Sequence, residues 1–187
     1  MLDNLIQLDK NLLVFLNNLG SEQWDSIWLV ITNQFYWTPL FIFIFYLIIK
    51  SYGWKHGAFM ILSIILLVAF SDQFVNLIKD SVGRLRPNND PEIMNKLRTL
   101  INPQSKSFIS GHATTSTFFT VYVILLLKKS FGKPILWLLI YPLLFSYSRL
   151  YLGVHFPLDI LVGVLTGFLL AFIYFSIYKK IDKKSFI

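Results

Sequence analysis

The chain has no cysteine in its 187 residues. Disulfides, thiolate metal sites and a cysteine nucleophile are excluded, and nothing can be read about redox compartment. Charge is scarce as well: Asp, Glu, Lys and Arg make up 14%, against roughly 25% in soluble domains. In their place stand 55% hydrophobic residues and 17% aromatics, with a mean hydropathy of +0.60. A two-domain soluble enzyme is excluded, because each membrane crossing takes roughly 20 apolar residues and little chain is left over. A Rossmann or barrel scaffold is disfavoured on the same ground. The apolar runs are long and do not alternate, which rules out a membrane β-barrel. The first ten residues, MLDNLIQLDK, lack a basic segment followed by an apolar core, so insertion through the first membrane helix is expected in place of a cleaved signal. No internal repeat or low-complexity linker interrupts the chain, and one domain over 1–187 is expected.

Residues 3–19 carry Leu5, Leu8, Leu12, Phe15, Leu16 and Leu19 at helical spacing, with Asp9, Asn11 and Asn18 off that stripe. This predicts an amphipathic helix lying at the membrane interface or entering it. Clear apolar spans are expected over 24–49, kinked at Pro39, and over 57–78, 112–127, 134–148 and 158–178. The predicted fold class is therefore all-α: a polytopic transmembrane bundle of five to six spans, counting the N-terminal helix.

The formal charge of +7 comes from basic residues in short clusters between apolar segments. That distribution is a topology signal and not a nucleic-acid-binding face. Lys50, Lys55, Lys128, Lys129, Lys133, Lys179, Lys180, Lys183 and Lys184 fall on one side, with Asp182 as the one acidic residue there. Lys79, His112 and the segment 149–159 fall on the other. The positive-inside rule places the lysine clusters in the cytoplasm and the polar loops outside. Trp24, Trp28, Tyr36 and Trp37 are expected in an aromatic belt at the interface.

Three polar segments carry the candidate chemistry. Lys79 and Arg86, seven positions apart at the end of a span, can converge on an anion: lysine as a point charge, arginine as a bidentate fork. Ser110, Gly111 and His112 open a helix, where backbone N–H groups suit an anion and an imidazole can carry a proton. In the third, Arg149 and His155 precede a helix that starts at Pro157 and holds Asp159 in its first turn. That carboxylate can fix the imidazole tautomer and leave the other nitrogen free to attack. Each segment has an ordinary alternative: snorkelling cations in the first, a serine helix cap in the second, and an aspartate capping its own helix in the third.

In order along the chain the segments read K-x6-RP, SGH and SR-x5-H-x3-D. This resembles the type 2 phosphatidic acid phosphatase family of membrane lipid phosphatases, which is related to the vanadium haloperoxidases. The resemblance covers 79–159 in its motifs and the whole chain in its hydrophobic layout. It implies a metal-independent phosphatase without a cofactor, acting on a phosphorylated membrane lipid in the bilayer. His155 matches the nucleophile that forms a phosphohistidine, Asp159 the acid that orients it, and His112 the general acid for the leaving oxygen. Lys79, Arg86, Ser110, Gly111 and Arg149 match the groups that hold the phosphoryl oxygens. One departure stands out: Ile109 occupies the place of a usual proline before Ser-Gly-His, and a more mobile loop is expected there.

Phosphoryl transfer asks chiefly for positioned charge, which three cations and backbone donors supply. No clustered carboxylate set for two metals is visible. Asp72, Asn76 and Lys79 share one helix face and are expected beneath the site, either supporting Lys79 or bonding a neighbouring helix. Among substrates, undecaprenyl pyrophosphate ranks first and lipid A phosphate next, followed by phosphatidylglycerol phosphate and phosphatidic acid. The expected location is the inner membrane of the cell, with the site facing outward. The competing classes are a non-enzymatic anionic-lipid binder or transporter and, ranked low, a haloperoxidase.

Overall fold

The computed structural model describes residues 2–181; Asp182, Lys183 and Lys184 lie outside them. It is all-helical, with no strand among the described residues. The described residues form six α-helices, α1 (Leu2–Asn18), α2 (Glu22–Thr32), α3 (Thr38–Val82), α4 (Gly111–Phe131), α5 (Ile140–Tyr151) and α6 (Pro157–Ile181). Helix α4 is the hub, packed against α3, α5 and α6. Its inward side chains, among them Phe118, Tyr122 and Leu126, join Ile44, Ile48, Met60, Ile64 and Leu67 of α3 in the main core.

Two segments, 34–89 and Pro157–Ile181, are long and apolar enough to cross a membrane. Helix α6 presents Leu161, Leu165, Leu169, Phe172 and Ile173 outward, and α3 does the same with Ile42, Leu62, Ile65 and Leu66. Apolar surface this continuous is covered by lipid.

The expected span over 24–49 is broken in the structure. Helix α2 stops at Thr32, and Asn33 turns the chain by accepting the Phe35 N–H at 3.0 Å. A 3-10 turn over Gln34–Trp37 follows, and α3 starts with Pro39 in its first turn. Pro39 thus begins a helix, where its missing N–H is harmless, and does not kink one. The connection at Lys50 and Lys55 comes down to one residue. Gly53 takes φ 74° and folds α3 into two arms, close enough for Gly57 to pack on the Ile49 backbone.

Helix α6 lies against α4 through Gly163 and Gly167, a small-xxx-small pair. A Cβ built on Gly167 would stand 2.6 Å from the Thr114 carbonyl oxygen, and one on Gly163 3.0 Å from that of Ser110. This close approach sets the Ser110 end of α4 beside the start of α6.

Helix α1 is amphipathic as expected, with a division of labour. Leu5, Leu8, Leu12, Phe15 and Leu19 point outward, while Asp9, Lys10, Leu13 and Asn17 are buried against the protein. The aromatic belt divides too. Trp24 and Tyr36 are exposed, but Trp28 packs on Tyr147 and Tyr151. Trp37 packs on Tyr141 and donates its indole N–H to the Ile31 carbonyl at 2.8 Å.

Candidate active site

The third motif owes its shape to the way α5 ends. Gly153 adopts φ 67°, the Gly153 N–H bonds the Leu150 carbonyl, and the Val154 N–H bonds the Arg149 carbonyl. This Schellman turn needs a residue free to take the left-handed conformation, and it folds the chain back so that His155 returns beside Arg149. Asn17 of α1 seals the turn from outside: its amide donates to the Tyr151 carbonyl at 2.7 Å and to that of Arg98 at 3.1 Å.

Pro157 then starts α6, and Asp159 sits in the first turn with no solvent exposure. Its carboxylate does two jobs at once. Oδ2 accepts the Phe156 backbone N–H at 3.0 Å, as a helix cap would, and lies 3.4 Å from His155 Nδ1. It also accepts the Ser107 hydroxyl. On the other side of the ring, His155 Nε2 faces Arg86 Nη1 at 3.1 Å. An arginine can only donate, so Nε2 carries the lone pair and Nδ1 the proton. Burial, with Arg86 and Arg149 nearby, pushes the His155 pKa down to about 3 against the pull of Asp159. The imidazole is therefore neutral and nucleophilic across the working pH range.

Arg86 is fixed by the loop around it. Nε donates to the Ser105 carbonyl at 2.7 Å, Nη2 to the Ser105 hydroxyl at 2.8 Å, and Nη1 to the Val154 carbonyl at 2.9 Å. Arg149, 5% exposed, donates to the Thr32 hydroxyl at 2.6 Å. Its Nε is buried without a partner. Lys79 stands in the last turn of α3, just before the left-handed Gly83 cap.

Lys79, Arg86, Gly111, His112, Arg149 and His155 all line one cavity of about 980 Å³. None of Lys79, Arg86 and Arg149 pairs with a carboxylate among the described residues. Three buried cations with no carboxylate in salt-bridge contact among the described residues, one of them with an unsatisfied N–H, make a site for a multiply charged anion. The ring of His112 lies flat on Phe145, centroids 4.6 Å apart. The cavity continues between the arms of α3 along Phe41, Ile42, Phe45, Ile64, Ile65 and Val68, an apolar channel leading away from the cations.

Of the residues expected to hold the phosphoryl oxygens, Ser110 stands apart. It is fully buried behind the cavity wall, and its hydroxyl accepts the Ala113 N–H as the cap of α4. Ile109 is buried as well. The loop expected to be mobile is tied at both flanks, with the Ser107 N–H on the Arg84 carbonyl and the Ser110 N–H on that of Asp159. Asp72 and Asn76 line the cavity beside Lys79 and lie 3.4 Å apart. Sequence reasoning missed Thr32, Ser105, Ser107 and Arg84. No local signal marks Thr32, because the apolar run continues across the break at Asn33.

The model of the PAP2 superfamily matches residues 40–183. The chain belongs to the PAP2 superfamily. As a member it is a membrane lipid phosphatase. It is 33% identical over 171 residues to a lipid A 4'-phosphatase of Bacteroides thetaiotaomicron, covering 87% of this chain and 73% of that protein. A lipid A 4'-phosphatase of Porphyromonas gingivalis is 26% identical over 167 residues, covering 87% of this chain and 70% of that one. The crystal structure of a transmembrane PAP2-type phosphatidylglycerolphosphate phosphatase from Bacillus subtilis shares the fold. Its TM-score is 0.77 at 21% identity, over 97% of this chain and 89% of that one.

Proposed function

We propose that this PAP2 protein removes a terminal phosphate from an envelope lipid through a phosphohistidine, with lipid A phosphate as its substrate. The observation that carries the reading is the convergence of Lys79, Arg86 and Arg149 on a cavity with an apolar extension. The phosphate would sit among the cations and the acyl chains along the arms of α3. Lipid A phosphate is favoured over undecaprenyl pyrophosphate, first in the ranking from sequence, for two reasons. Two relatives named for the lipid A 4'-phosphate match along most of this chain. In addition, Asp72 and Asn76 give the cavity hydrogen-bonding groups that a sugar can use and a polyprenyl chain cannot.

In the reaction, Nε2 of His155 attacks phosphorus in line with the departing lipid oxygen. The P–O bond breaks, and His112, which takes up a proton as the phosphate dianion enters among the cations, gives that proton to the departing oxygen. The Arg86 N–H that donates to the Nε2 lone pair at rest donates to a phosphoryl oxygen instead as the substrate enters. Asp159 accepts the hydrogen bond from Nδ1, which strengthens as the ring gains positive charge. Water, deprotonated by His112, then attacks the phosphohistidine; free phosphate leaves, and His155 is neutral again.

A substrate panel in detergent with EDTA tests this reading. Lipid A phosphate is expected to exceed undecaprenyl pyrophosphate, phosphatidylglycerol phosphate and phosphatidic acid by at least about tenfold in kcat/KM, the discrimination of one or two polar contacts. A higher value for any of the others would overturn the substrate assignment. Activity lost in EDTA and restored by Mg²⁺ would overturn the mechanism.

The same reading places the protein in the inner membrane with five to six spans, α1 at the interface, and the site on the outer face. The lysine clusters at Lys128, Lys129 and Lys133 and at Lys179, Lys180, Lys183 and Lys184 support that orientation. In intact cells or spheroplasts, Asn89→Cys is expected to react with an impermeant maleimide and Ser130→Cys only after permeabilisation. The opposite labelling would make this an enzyme of inner-leaflet lipids.

A further inference from the structure

The catalytic carboxylate is held by a second one from the far end of the chain. Arg84 donates from Nη1 to Oδ1 of Asp159 at 2.8 Å and from Nη2 to Oδ2 of Asp9 at 2.7 Å. Its guanidinium also covers the Phe156 ring, 3.8 Å from the centroid. Oδ1 of Asp9, in turn, accepts the Leu158 backbone N–H at 2.9 Å, in the first turn of the helix that carries Asp159. The Asp9 and Asp159 side chains are 1% and 0% exposed. A buried carboxylate on an outer helix, aimed at an arginine instead of at water, carries a desolvation cost that helix packing alone does not require.

We propose that Asp9 and Arg84 are positioning residues of the hydrolytic reaction, completing a chain Asp9–Arg84–Asp159–His155 that fixes the nucleophile. Asp159 has two oxygens with different tasks. Oδ2 must stay aligned on Nδ1 of His155, and Oδ1 is the handle by which Arg84 sets the carboxylate plane. Arg84 could turn toward solvent at one edge, and Asp9 removes that freedom by taking its second amino group. Because Asp9 also bonds the Leu158 N–H, it sets Arg84 and the start of α6 in one frame. Helix α1 thus belongs to the active site although none of its residues lines the cavity. Lys10, the next residue, pairs with Asp90 and Glu92 at 2.8 and 2.9 Å. It clips α1 to the surface of the loop without reaching the carboxylate chain, which makes it the natural control.

The inference rests on the phosphatase reading with His155 as nucleophile. It is tested on the full chain in detergent with p-nitrophenyl phosphate, which needs no choice among lipids. Asp9→Asn is expected to lower kcat by about tenfold to a hundredfold, the effect of a slightly misplaced catalytic group, with KM within about twofold. Lys10→Gln is expected to keep a wild-type kcat. Arg84→Lys retains the charge but grips one carboxylate at a time, and it provides a second entry should Asp9→Asn fail to fold. The double variant Asp9→Asn/Arg84→Lys is expected to be no slower than the worse single variant, because both break one chain. Wild-type kcat in Asp9→Asn, equal losses in Asp9→Asn and Lys10→Gln, or fully additive losses in the double variant would overturn the proposal while leaving the phosphatase reading intact. Failure of the wild-type protein to release p-nitrophenol would overturn the reading beneath it, and the proposal with it.

Discussion

Replacing His155 with alanine is expected to abolish phosphate release, lowering kcat by at least about 10⁴-fold, as loss of a nucleophile does in covalent catalysis. The expectation follows from the ring's surroundings. It is 1% exposed and held between Asp159 at Nδ1 and Arg86 at Nε2. The lone pair therefore lies on the side of Arg86, which lines the cavity together with Lys79 and Arg149. Its depressed pKa keeps it unprotonated, so the loss should be the same at acidic and neutral pH. The cations remain in the variant, so lipid binding should survive, and KM or a measured Kd should move by no more than about tenfold. Phosphate release within tenfold of wild type would remove His155 from the chemistry.

The second large effect is expected at His112. Placed at the start of α4 and flat on Phe145, it is the other imidazole lining the cavity. A lipid alkoxide or sugar oxygen leaves poorly without a proton, and a positioned general acid contributes about 10² to 10⁴ in rate. His112→Ala should therefore cost about that much on a lipid monophosphate. A pyrophosphate leaves as a phosphate group that needs little protonation, so the loss there should stay within about tenfold. Parallel kcat measurements on the two substrates check this, and equal losses would contradict the assigned role.

Much of the site is legible in the sequence because its parts are local. His155 and Asp159 share one helix start, Arg149 and His155 share one Schellman turn, and Lys79 and Arg86 flank one helix end. A short stretch of backbone fixes each of these relations. Contacts made between distant segments are not legible in this way. Asp9 meets Arg84 and Leu158, Asn17 meets Arg98 and Tyr151, and Thr32 meets Arg149, all across long separations. Periodicity marks Asp9 as lying off the leucine stripe of α1. It does not reveal that this polar side faces protein while the stripe faces outward. The break at Asn33 is hidden for another reason. The apolar run continues through it, so hydropathy sees one span where hydrogen bonding of the Asn33 side chain makes two helices.

The central claim is that His155 carries the phosphoryl group between lipid and water. It is tested most directly by mixing the protein with lipid A labelled with ³²P in its phosphate, quenching in alkali within one turnover, and mapping the label by peptide. The account predicts label on the peptide containing His155, stable in base and lost in acid, and absent from His155→Ala. Turnover by the wild-type protein with no label on His155 at any quench time, or with the label on another residue, would contradict it.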